Sequence, residues 1–160
     1  MPACKKCNTT KGNHDTKTEP IINPFVDNPK DYLYIQNYRY RPLNNNQLGR
    51  TTIDVLALND DECFGDRRYE IGKGICAILE DIYDDKEKML NPKLQNKYLK
   101  KIKKLLSKGS RKKEYSALVS TIILSDESFQ YIENLLKENS LWDDEFEELK
   151  QELVYCALLK

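Results

Sequence analysis

Apolar and polar positions alternate in three different ways along this chain. Up to residue 45 the apolar positions are sparse and the stretch is polar. Pro20, Pro24, Pro29 and Pro42 interrupt it, which excludes long helices there. A short helix fits at the start, from Cys4 to about Lys11, with Gly12 as its C-terminal stop. From Tyr32 to Pro42 aromatic and polar residues alternate, the period-2 signature of a small hairpin turning near Gln36-Asn37. Asn44-Asn45-Asn46 breaks the chain.

After residue 46 the period becomes helical. Leu48, Thr52, Val55, Leu56 and Leu58 share one face, and Asn59-Asp60-Asp61 ends that helix and caps the next. A long helix from about Asp61 to Asp84 would turn Phe64, Tyr69, Ile75, Ile78, Leu79 and Ile82 inward, with Gly72 and Gly74 weakening its middle. Pro92 suits the first turn of a basic helix that turns Leu94, Tyr98, Leu99, Ile102, Leu105 and Leu106 inward. Gly109-Ser110 stops it. Three helices follow, marked by Tyr115, Leu118, Val119 and Ile122; by Phe129, Ile132, Leu135 and Leu136 behind the start signal Ser125-Asp126-Glu127-Ser128; and by Phe146, Leu149, Leu153, Val154 and Ala157 behind Asp143-Asp144. No internal repeat is present. The pattern predicts a mainly α, α+β chain, with an irregular segment carrying the hairpin over residues 1–46 and a helical, bundle-like body over residues 47–160.

Composition agrees with a globular domain: of 160 residues, 39% are apolar and 32% charged. No stretch nears the roughly 18 apolar residues of a membrane span, so no membrane partner is expected. No apolar signal segment opens the chain. Five cysteines are an odd count, three of them scattered, which fits a reducing, cytoplasmic setting.

Charge changes the picture more. The 26 basic residues balance the 26 acidic ones, yet the two signs are separated. Twelve Lys or Arg between Lys86 and Lys113 face one acid, Glu87, whereas Asp126 to Glu152 is strongly acidic. Such a dipole can steer a phosphate-bearing ligand. The simpler reading is two solvated helix faces that attract each other.

Cys4 and Cys7 form a C-x-x-C pair, half of a tetrahedral zinc site. Cys63, Cys76 and Cys156 stand alone and do not complete it. A redox pair would belong with a βαβ pattern that is missing, and a chance pair is the plain alternative. Gly72-Lys73-Gly74 fails the spacing of a phosphate-binding loop. Trp142 reads as a plug between two helices.

Cys4-x-x-Cys7-Asn8-x-x-Lys11-Gly12, followed by Pro20-Ile21-Ile22-Asn23-Pro24-Phe25-x-Asp27-x-Pro29, resembles the back half of zinc-containing HNH endonucleases. The branch it is similar to includes the HNH partners of ATPases in Septu-type and retron-linked anti-phage systems. The likeness continues weakly through Thr51 to Asn59 and covers about residues 2–70; the final 90 residues match no named family. It implies a truncated ββα-metal fold, Cys4 and Cys7 as half of a structural Zn²⁺ site, and Asn8 as a ligand to a catalytic Mg²⁺ or Mn²⁺. An amide oxygen suits such a hard ion.

The resemblance further implies metal-dependent phosphodiester hydrolysis of nucleic acid, DNA in particular, and an ATPase partner subunit. Lys11 is a recurrent family position. With Lys5 and Lys6 it could contact phosphate without reading sequence. The family's Asp-His pair and first C-x-x-C do not precede Cys4. This implies that Met1 is an internal methionine or marks a truncation, and that the chain as given does not cleave. His14, the lone histidine, and Asp15 follow the ligand helix and read as exposed loop residues. Tyr32, Tyr34, Tyr38 and Tyr40 with Arg39 and Arg41 could stack on single-stranded bases, though a packed hairpin is the plainer outcome. The rivals are a non-catalytic helical interaction module with a vestigial zinc half-site, and a zinc-bridged dimer of two chains.

Overall fold

A computed structural model describes residues 5–60 and 64–160. It is mainly helical, with one two-stranded antiparallel sheet. Two compact units divide it: one reaches to Glu70 and includes Leu158–Lys160, the other is Ile71–Ala157. The division expected after residue 46 and the one found after residue 70 differ. The physical reason is that the helix after residue 46 is bonded to the segment before it: the Ile22 N–H donates to the Thr52 hydroxyl at 2.8 Å.

The first unit begins with α1, Lys5–Lys11. Gly12 ends it as expected, at φ +49° with its N–H donating to the Asn8 carbonyl at 3.2 Å. A 3-10 turn, Pro29–Asp31, precedes the hairpin of β1 (Leu33–Gln36) and β2 (Arg39–Pro42), registered Leu33 to Pro42 and Gln36 to Arg39. The turn falls on Asn37-Tyr38, one residue later than expected, with both residues left-handed at φ +51° and +64°. Two positive φ angles suit the twist of a two-residue hairpin loop. Leu33 and Ile35 form its buried face. On the other edge of β1, the Ile35 N–H donates to the Leu158 carbonyl at 2.9 Å.

Asn46 caps α2, Gln47–Val55, by accepting from the Gly49 N–H at 3.0 Å. Of the expected row only Thr52 is buried, together with Gly49, Thr51 and Ile53, while Leu48, Val55, Leu56 and Leu58 are half-buried. Gly49 is required there, because a Cβ would run into the Tyr32 carbonyl oxygen and crowd Leu33. Thr52 is tolerated inside because its hydroxyl donates to the Leu48 carbonyl at 2.7 Å while accepting from Ile22.

Asn59 does not cap a helix. Its amide accepts from the Tyr40 N–H at 2.9 Å and donates to the Tyr40 carbonyl at 2.8 Å, standing in for a third strand beside β2. The expected helix start at residues 61–63 lies outside the described residues. Helix α3 is Asp66–Asp84, and the residue it buries in its first turn is Arg68, while Tyr69 is exposed.

The second unit takes α3 from Ile71 onward, then α4 (Lys86–Met89), α5 (Gln95–Leu106), a 3-10 turn at Ser107–Gly109, α6 (Ser116–Ser125), α7 (Glu127–Glu138) and α8 (Asp144–Cys156). Its core gathers Ile75, Leu79 and Ile82 of α3 with Ile102 and Leu106 of α5, Ile123, Phe129, Leu136, Phe146 and Leu153. Pro92 stands in the turn before α5 rather than inside its first turn, and Leu94 is exposed. Asp126 and Asp143 cap α7 and α8 on the Ser128 and Phe146 N–H groups, at 2.8 and 3.0 Å. Gly109 allows close approach, since a Cβ there would strike Leu153 and come within 2.5 Å of the Ser120 hydroxyl. Val154 points outward, contrary to expectation. Trp142 is half-buried, stacked on Phe146 at 4.9 Å, and donates to Glu147 at 3.1 Å.

Candidate functional site

The residues singled out in sequence fall on and around α1. Cys4 lies outside the described residues. Lys5 and Lys6 occupy the first turn of the α1 backbone, and their side chains are outside the described part. Cys7 is half-buried, Asn8 is exposed, and Lys11 is half-buried in the last turn. Cys7 and Lys11 are four residues apart and Asn8 and Lys11 three, so the helix brings all three to one side.

The loop after α1 closes on itself. The His14 N–H donates to the Lys11 carbonyl at 3.0 Å. The His14 ring meets the Glu19 carbonyl through Nε2 at 2.8 Å, and its Nδ1 stands 3.7 Å from the Glu19 carboxylate. Only 16% of the His14 side chain is exposed, so the expected solvated histidine is instead a packed one. Asp15 accepts from the Thr18 hydroxyl at 2.6 Å and the Lys17 N–H at 2.9 Å. Those two bonds hold its carboxyl below the usual aspartate range. Both side chains are thus engaged in shaping the loop.

Farther along, Asn23 and Asp27 tie off a turn: Asp27 accepts from the Asn23 N–H at 2.8 Å and Asn23 from the Phe25 N–H at 3.1 Å. Phe25 and Val26 stand out from it, exposed.

A structural zinc needs four donors and a hard divalent ion six or more. Among the described residues, no group of three or more His, Cys, Asp or Glu could hold a metal ion. Cys7 and Asn8 alone do not complete either site, so no chemical step is routed through a metal.

The tyrosines of the hairpin pack within the first unit. Lys160 lies over Tyr34 at 5.7 Å, Arg68 over Tyr40 at 5.1 Å, and Tyr38 meets Tyr69 edge-on at 5.6 Å. Asn37, Tyr38, Arg39, Gly65, Asp66 and Tyr69 line a half-open cleft of ≈ 220 Å³. That is smaller than the ~300–1,000 Å³ of ordinary ligand pockets. Sequence reasoning missed Arg68, because an arginine beside Arg67 and Asp66 at a helix start reads as surface. Its guanidinium is buried and donates to the Tyr38 carbonyl at 3.0 Å and to the Leu58 carbonyl.

The separated charges of the second unit are partly paired, as the simpler reading expected. Lys103 of α5 reaches Asp143 at 2.6 Å and Glu145 at 2.5 Å, both at the start of α8. Burial works against its ammonium, and the two carboxylates outweigh that, so its pKa is raised. Lys101 pairs with Asp81 and Arg111 with Glu152. Glu133, almost buried, accepts from Lys137 at 2.5 Å and from Lys150.

No family model matches the chain, and no solved structure matches it. It is 31% identical over 154 residues to the Septu protein PtuB of Bacillus thuringiensis. The match takes in 93% of this chain and 59% of the relative, so the chain spans about three-fifths of the length of the curated protein it matches. The likeness therefore reaches through the helical residues after position 70, beyond the segment that carried the motif resemblance.

Proposed function

We propose that this protein is the ligand-helix part of an HNH-type, metal-dependent nucleic-acid endonuclease working in a Septu-type anti-phage system. The observation that carries this reading is the reach of the likeness: 31% identity to a Septu protein across 93% of the chain. A shared short motif could arise by chance, whereas a match of that length spans both compact units.

The geometry of α1 supports the local part of the reading. Asn8 is exposed, and its amide oxygen is a suitable ligand for Mg²⁺ or Mn²⁺. Lys11, one turn on, offers a compact positive charge to a phosphate. Cys7, with Cys4, would supply half of a structural zinc site. Lys5 and Lys6, next to Cys7 in sequence, remain candidate phosphate contacts. In this reading Asn8 would be one ligand of a divalent ion, which would supply Lewis-acid chemistry at the phosphate when its remaining donors are present. The residues of α1 orient the ion and hold the phosphate. The helical unit docks a partner subunit, an ATPase by the resemblance.

The test is protection from phage. The gene is expressed with its neighbouring genes, and plaque counts are compared for wild type, Asn8→Ala and Cys7→Ser at matched protein levels. Both variants are expected to lose protection. Protection by Asn8→Ala equal to wild type, with the protein present at normal abundance, refutes the assignment.

A further inference from the structure

We propose that the outer face of α5 is a second nucleic-acid contact, a row of lysines that holds a phosphodiester backbone independently of base sequence. The inference goes beyond the nuclease reading and stands on the charge and geometry of α5 alone.

At about 100° per residue, Lys97, Lys100 and Lys104 fall within an arc of about 60°, and Lys108 in the following 3-10 turn extends the row. All four are exposed. Among the described residues, none of the four ammonium groups takes part in a hydrogen bond or ion pair. The acids that could neutralise the helix engage its flanks. Lys101, on one side of the row, pairs with Asp81 of α3; Lys103, on the other, pairs with Asp143 and Glu145 of α8. The opposite face, Tyr98, Ile102, Leu105 and Leu106, is buried. The helix thus has three sectors: an apolar base, two neutralised shoulders and a cationic crest.

The crest is unpaired because no acid occurs in sequence from Lys88 to Lys113, and the acids of α3 and α8 reach only the shoulders. Four like charges in one row repel one another, which favours an anionic occupant. At a rise of 1.5 Å per residue the row runs about 16 Å, and duplex nucleic acid offers one charge per ~1.7 Å of its axis. About nine phosphates therefore pass the row, enough for four contacts.

The composition of the crest favours nucleic acid over an acidic protein. Protein interfaces are built around aromatic and arginine anchors, with lysine depleted at the centre. This row is lysine throughout, the point-charge chemistry of phosphate contact.

The test is binding of a labelled DNA duplex of about 20 base pairs to the full chain, by fluorescence anisotropy, over 50–200 mM salt. EDTA is present throughout, so cleavage plays no part and failure of the nuclease reading would leave this result untouched. Four phosphate contacts at about 0.9 each give a slope of log K against log salt about 3.6 units steeper in wild type than in Lys97→Gln/Lys100→Gln/Lys104→Gln/Lys108→Gln. That corresponds to about 150-fold more affinity lost by wild type across the salt range. Lys17→Gln/Lys73→Gln, lysines off the row, is expected to bind within twofold of wild type.

Circular dichroism checks that the quadruple variant is folded, and Lys100→Gln/Lys104→Gln, expected to lose half the slope difference, replaces it if it is not. Absence of binding by wild type, or equal slopes for wild type and variant, overturns the proposal. So does displacement of duplex by poly-glutamate as effectively as by unlabelled duplex, which would identify an acidic protein as the occupant.

Discussion

Replacing Arg68 by Met should loosen the hairpin by about 30-fold in its opening equilibrium. Arg68 is 3% exposed. Its Nε donates to the Tyr38 carbonyl at 3.0 Å, and its Nη2 donates to the Leu58 carbonyl and touches the Asn59 amide oxygen at 3.5 Å. The guanidinium also lies 5.1 Å from the Tyr40 ring and 5.9 Å from that of Phe64. Methionine keeps most of the volume and the aromatic contacts, so packing changes little. The carbonyls of half-buried Tyr38 and Leu58 lose the Arg68 donors, and losing a donor to an acceptor shielded from water costs about 1–3 kcal/mol. Removing a desolvated charge offsets part of this. A net loss of about 2 kcal/mol is about 30-fold in equilibrium.

Native-state amide exchange followed by mass spectrometry reads the change locally. Peptides over Leu33–Pro42 should exchange about 30-fold faster, with those of Glu127–Glu138 unchanged as the internal reference. Exchange of the hairpin within threefold of wild type would refute the assignment of Arg68 as its clamp. Asn59→Ala should have a similar effect through the two Tyr40 bonds. Because Arg68 and Asn59 touch, the double variant should lose less than the sum.

Gly109→Ala is expected to cost about 2 kcal/mol through overpacking against Leu153 and Ser120, read as a lower urea midpoint by Trp142 fluorescence; an unchanged midpoint contradicts the contact. Gly49→Ala should speed hairpin exchange, since displacing the Tyr32 carbonyl outweighs the roughly 1 kcal/mol that alanine gains in a helix. Burial raises the pKa of Glu133, but hydrogen bonds from Lys137 and Lys150 outweigh it, so its folded value lies below the ordinary 4.5. Its contribution to stability is then present above about pH 4.5 and lost as pH falls through the lower folded value. Glu133→Gln should therefore lose less stability than wild type between pH 7 and pH 3.5, by urea midpoints; equal losses would remove Glu133 from the acid response.

The chain by itself determined what depends on neighbours a few residues apart. Helical periodicity located α5, α7 and α8, because each buries one stripe of a 3.6-residue repeat, whereas α2 and α6 were placed although they bury consecutive residues, Thr51 to Ile53 and Leu118 to Thr121. Asp126 and Asp143 were legible as caps, and Gly12 as a stop, because their partners lie within four residues. The placement of Asn8 and Lys11 on one short helix was legible for the same reason.

Tertiary structure decided the rest. Asn59 looked like a cap and became an edge partner for β2, a bond 19 residues away in sequence. Arg68 looked like surface and was buried by carbonyls that no local pattern places beside it. The basic run read as one charged segment. Folding divided it into shoulders paired with Asp81, Asp143 and Glu145 and a crest left to meet something else, because pairing depends on which acids stand within reach rather than on how many the chain contains.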